Sequence, residues 1–177
     1  KKIICDHNFG IIPRFALASC LEGDYICVFD DDTMPGERWF ENCLNYVDEE
    51  QVLCGTIGLR YLSRDELLTA KPRMGWESMN ERLEFVDLAG HSWFFRREWA
   101  RFFWDTEPFS RQFGEDIHFC AMLKRHGIRI VCPPHPKNNH ALWGSVKPEL
   151  GIDKVAISCS SDKSNLYWQV VKHELDN

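Results

Sequence analysis

Three consecutive aspartates, Asp30, Asp31 and Asp32, follow the apolar run YICVF and precede T-M-P-G-E in this chain of 177 residues. Like charges at adjacent positions repel and raise one another's pKa, so such a cluster calls for a positive partner. The first candidate is a metal ion. Hard cations such as Mn²⁺ or Mg²⁺ take one or two oxygens from an Asp-x-Asp pair and the remainder from water or phosphate. Asp30 and Asp32 have that spacing. The plainer alternative is that Asp32 or Thr33 caps the next helix while the other aspartates are solvated, although a cap needs one such residue and not three. A second acidic pair, Glu115 and Asp116, opens the stretch EDIHFCAMLKRHG, where carboxylates complement a helix N-terminus.

The elements that must position these groups are legible as alternating strands and helices. A short strand is expected over residues 2 to 6, then a helix in IIPRFALASCLEG with Pro13 in its first turn and Gly23 past its end. YICVFD, almost wholly apolar and rich in β-branched and aromatic residues, reads as a strand covered on both faces with the aspartates at its carboxyl end. From Pro35 a helix presents Trp39, Phe40, Cys43, Leu44 and Val47 as one apolar stripe. Residues 52 to 62 read as a strand and 63 to 84 as a polar excursion with a helical piece. Residues 85 to 104 read as strand, Gly turn, strand and short aromatic helix. A helix over 114 to 127, a strand in IRIVCPP, a loop from 133 to 151 and a helix in SNLYWQVVKHEL complete the pattern. This is an α/β chain with helices on both faces of a sheet, whose ligands bind outside the carboxyl ends of the strands.

Composition narrows the partners. The length fits one domain, and an apolar fraction of 44% with 12 Phe and 7 Trp supplies a core. A net charge of -6 without a basic cluster argues against nucleic acid. The eight cysteines show no C-x-x-C spacing and sit mostly in apolar runs, which reads as reduced thiols and a cytoplasmic protein. No apolar run approaches the roughly 20 residues of a membrane span, and no signal-peptide pattern opens the chain.

Three stretches taken in order, NFGIIPR with EGDYICVFDDDTMPG, then VDLAGHSWFFRRE, then FGEDIHFCAMLKRHGIRIVCPP, resemble the nucleotide-sugar glycosyltransferases of the GT-A fold. The likeness is strongest to the family 2 group, with a secondary one to exostosin-type enzymes. The resemblance implies a Rossmann-like mixed sheet flanked by helices. It also implies a metal-dependent transfer from a nucleoside-diphosphate sugar, UDP-sugar first among them, to a sugar or other hydroxyl acceptor. On this resemblance Asp30 and Asp32 form the Asp-x-Asp pair with Mn²⁺ or Mg²⁺. Asp32 is then the direct ligand, and Asp30 or Asp31 meets the ribose or a metal-bound water. Glu115 and Asp116 match the family's Glu-Asp pair, with Asp116 as general base, because a sugar hydroxyl attacks well only as its proton leaves. Arg14 and Gly90 match donor- and acceptor-side positions, and His91, Ser92 and Trp93 are placed to touch a sugar, Trp93 by stacking. Most of the neighbouring aromatics must be core. His135 and His140 lie where some relatives add a histidine to the metal shell, and His140, just before A-L-W, is the stronger candidate.

Residues 1 to 14 match a segment just before the acidic turn in that family, so the opening strand and helix units are expected to be missing from this single domain. Unpaired strand edges recruit partners, so a homodimer is a further expectation. Two rivals stand beside the transferase. A haloacid-dehalogenase-like phosphatase would also use D-x-D, but Met34 holds the fifth position and FGEDIHF lacks its later acidic pattern. A non-catalytic transferase remnant, binding a sugar or a partner, is the other.

Overall fold

The computed structural model describes residues 2, 4–61, 73–76, 78–151 and 161–176. In chain order, α1 (Pro13–Ala16) runs into a 3-10 turn (Leu17–Cys20), followed by β1 (Tyr25–Phe29), α2 (Trp39–Val47), β2 (Val52–Leu59), β3 (Arg73–Gly75), β4 (Glu84–Val86) and β5 (Leu88–Arg96). A 3-10 helix (Arg97–Trp104), α3 (Glu115–Arg125), β6 (Arg129–Cys132), two 3-10 turns (His140–Leu142 and Pro148–Gly151) and α4 (Ser161–Asp176) follow. The strands form one mixed sheet in the order β1-β5-β2-β6-β4, with β3 also paired to β2. β2 and β6 run parallel, and the remaining pairs are antiparallel.

Alternation along β5 decides what each face holds, because successive side chains of a strand point to opposite sides. Trp93 and Phe95 face Phe15 of α1 and Phe119 of α3, with ring centroids 5.2 and 4.9 Å apart. Phe94, between them, faces Phe40 of α2 and stacks on Tyr25 across the strand pair. Helices therefore cover both faces, as the sequence pattern requires. Phe15, Trp93, Phe95, Phe103 and Phe119 are buried. Each contributes about 1.5–3 kcal/mol by leaving water, and the contacts of Phe15 with Trp93, Phe103 and Phe119 hold α1 against β5, the 3-10 helix and α3.

Four expectations are corrected. Residues 4 to 6 belong to no strand and Ile4 is 78% exposed, because no neighbouring strand takes up their backbone groups. The helix after Pro13 is a single turn tightening into 3-10 geometry, since only Phe15 and Ala18 give it a buried side while Leu17 and Leu21 stay exposed. α2 starts at Trp39 and not near Pro35, because Met34, Gly36 and Arg38 are hydrogen-bonded to residues 141 to 146. Gly90 makes no turn: β5 runs through it with a bulge. Of the polar excursion over 63 to 84, in which a helical piece is expected, residues 63–72 and 77 lie outside the described residues, and the described remainder contains β3.

α4 docks on α3 through a buried polar contact. His118 Nδ1 lies 2.9 Å from a Glu174 carboxylate oxygen and Nε2 lies 3.0 Å from the Phe103 carbonyl. The seven described cysteines are free thiols, four of them buried and Cys5 and Cys20 exposed. Among the described residues no helix is long and apolar enough to cross a membrane.

Candidate active site

The acidic turn grows directly from the sheet. The Asp30 amide donates to the His91 carbonyl at 3.0 Å, extending the β1–β5 ladder by one residue, and the Thr33 amide donates back to Asp30 at 3.1 Å to turn the chain. The exit from the turn is laced to a distant loop: the amides of Gly36 and Arg38 donate to Trp143 and Ala141, and Val146 donates to Met34. A Cβ on Gly36 would stand 2.4 Å from the carbonyl oxygens of His140 and Ala141, so only glycine admits this approach. α2 carries no side-chain cap. The capping explanation of the aspartates therefore fails.

His91 supplies the third member. Between Gly55 and Ile57 of β2 the register to β5 slips, so that Trp93 and Gly90 are the partners and β5 holds one additional residue. Bulges of this kind re-aim a side chain. His91 sits in it with φ 64°, a left-handed conformation uncommon outside glycine. Its Nδ1 comes 3.6 Å from Asp32 and 3.8 Å from Asp30, too far for a hydrogen bond, and this buried nitrogen has no hydrogen-bond partner. One donor atom from each of Asp30, Asp32 and His91 lies within 4.8 Å of the others, a set able to hold a metal ion. Asp31 is exposed and outside this group.

Arg14 joins the acidic turn to the second acidic pair. Its guanidinium donates to the carboxylates of Asp30 and Glu115 and lies 4.6 Å over the Trp93 ring. Burial works against the Arg14 charge, but Glu115 and Asp30 outweigh it and its pKa is raised. Glu115 is buried at the first turn of α3, after Gly114 at φ 81°. Beside it, Asp116 accepts from the Ile117 amide at 2.8 Å. Burial, and then the charge of Glu115, push the Asp116 carboxyl up to about 7, with Arg14 opposing. Burial also raises Asp30, against Arg14 and His91.

Other expected site residues fall elsewhere. Trp93 is 1% exposed and its indole N–H donates to the Ala89 carbonyl, so it is the core floor beneath Arg14 and no sugar platform; its alternation along β5 turns it inward. His140 is exposed and lies against Trp143 at 4.1 Å, apart from the Asp30–Asp32–His91 group. The loop histidine that is buried, His135, accepts from Gly144 and bonds the Pro133 carbonyl, and burial lowers it to about 4. It braces the loop. Gly90 opens onto free space. Sequence reasoning missed Trp76, whose ring lies 4.1 Å from that of His91.

A family model described as glycosyltransferase like family 2 matches residues 8–155, a span that contains both acidic pairs, Arg14 and His91. The chain belongs to that glycosyltransferase family. No curated protein matches it. The mixed sheet flanked by helices is that of a partial GT-A domain. Membership also sets aside the phosphatase alternative, and a glycosyltransferase implies a nucleotide-sugar donor and an acceptor as its partners.

Proposed function

We infer that this family 2 glycosyltransferase is metal-assisted, transferring a sugar from a UDP-sugar to a hydroxyl acceptor at the carboxyl end of β1. The observation that carries this reading is the convergence of Asp30, Asp32 and the unpartnered Nδ1 of His91. Two carboxylates and an imidazole suit Mn²⁺ or Mg²⁺, and these three residues would hold it. A divalent cation there, when bound, offsets the negative charge that develops on a departing diphosphate. Asp116 takes the proton from the acceptor hydroxyl, and its raised pKa places it close to the value at which a base works best near neutral pH. Arg14, bonded to both Asp30 and Glu115, keeps the donor-side turn and the helix that carries Asp116 in one geometry. A fixed separation of base and leaving group is what makes the transfer effectively intramolecular.

Calorimetric titration of UDP, with GDP in parallel, tests the reading with and without Mn²⁺ and again on Asp32→Ala. UDP is expected to bind only with the metal and to lose that binding in the variant. Metal-independent binding, or none by either nucleotide, would sink it.

A further inference from the structure

The bulge that aims His91 does not by itself hold the ring in place. The imidazole makes no hydrogen bond to the described residues, whereas metal-bound histidines are ordinarily oriented through their second nitrogen. What touches the ring is Trp76. Gly75 of β3 and Gly90 of β5 lie on opposite sides of Ile57 in β2, at one level of the sheet. Immediately after each glycine the chain turns left-handed, at Trp76 with φ 44° and at His91 with φ 64°. These two uncommon backbone conformations bring the indole and imidazole together at 4.1 Å, tilted by 35°. Bulky residues persist in that conformation only where the surrounding structure over-determines it, and such positions gather at functional sites.

A third residue closes the stack. A Cβ on Gly151 would stand 2.3 Å from the Trp76 ring and 3.0 Å from Cε1 of His91. The backbone of the Pro148–Gly151 turn thus rests on both rings, and Trp76 is left 6% exposed.

We propose that Trp76, seated under Gly151, is the positioning residue that fixes the His91 imidazole so that Nδ1 is presented to the cation shared with Asp30 and Asp32. This rests on the metal reading given above. Without the indole the ring is free to rotate, and the site falls back to two carboxylates.

The test uses Mn²⁺ bound to the chain in the presence of UDP, read by pulsed electron paramagnetic resonance for coupling to a ligand nitrogen. Wild type and Trp76→Phe are expected to show ¹⁴N coupling. His91→Ala and Trp76→Ala are expected to lose it and to bind Mn²⁺ about tenfold to a hundredfold more weakly, with circular dichroism unchanged. Coupling that survives in folded Trp76→Ala overturns the proposal. Should that variant not fold, Trp76→Leu, which keeps apolar bulk but removes the ring, decides in the same way: loss of coupling supports the proposal and survival overturns it. Bound Mn²⁺ without nitrogen coupling in the wild type overturns it too, while leaving a carboxylate metal site standing. No Mn²⁺ binding by the wild type overturns both readings.

Discussion

Asp116 carries opposing demands. As the base proposed above it must be ionised, yet burial and the neighbouring Glu115 favour its neutral form. Transfer activity is therefore expected to rise with pH through about 7. Asp116→Asn should lower the rate by about 10²–10⁴-fold while sparing UDP binding. The same shift fixes the sign of a stability effect. The folded state holds the Asp116 proton more tightly than the unfolded chain, so its contribution is fully present below the ordinary carboxylate range and is lost as pH rises through about 7. The Asn variant stays neutral and should gain in melting temperature relative to wild type over that interval; a melting series from pH 4 to 8 checks it. Among single residues, the acidic pairs were legible because charge runs stand out against apolar strands. His91 was singled out for sugar contact, but its turn toward Asp32 depends on a bulge that residue types alone do not announce. Trp93 changed roles and Trp76 went unnoticed for a similar reason, since composition cannot say which indole a strand turns inward.

At the level of elements, what matters is how α1, α3 and α4 are tied to the sheet. Phe15 gives α1 its grip, Ala18 does the same for the 3-10 turn that follows, and Arg14 extends from α1 to Asp30 and Glu115. α4 is held by the His118–Glu174 contact, its two side chains 1% and 2% exposed. Removing one member of a buried pair strands the other, so Glu174→Ala should cost about 3–5 kcal/mol by urea unfolding. Burial raises the Glu174 carboxyl, but the hydrogen bond and charge of His118 bring it below its usual value. Its stabilisation is thus present above the ordinary carboxylate range and lost as pH falls through the lowered value; the variant should lack that acid-dependent loss. Strands β1, β2 and β6 and helices α2 and α3 could be read from periodicity and end signals. The start of α2 could not, because the hydrogen bonds between residues 34–38 and 141–146 reach across more than a hundred residues.

For the molecule as a whole, the edge of the sheet is its most consequential surface. Among the described strands β1 pairs with β5 alone, although its run of Tyr25, Ile26, Cys27, Val28 and Phe29 has no charged member to mark a free edge. The ladder fixes which amides look inward. Asp30 donates to His91, and Arg97 donates to Asp24. By the two-residue repeat of an antiparallel pair, Ile26 and Val28 face β5 with Asp30, while Tyr25, Cys27 and Phe29 turn their N–H groups outward. Deuterium uptake should therefore alternate along six residues, fast at Tyr25, Cys27 and Phe29 and slow between them. Uniform protection at high protein concentration, relaxing to alternation on dilution, would register a second chain completing the sheet, and would convert an expectation of dimerisation into a residue-by-residue footprint.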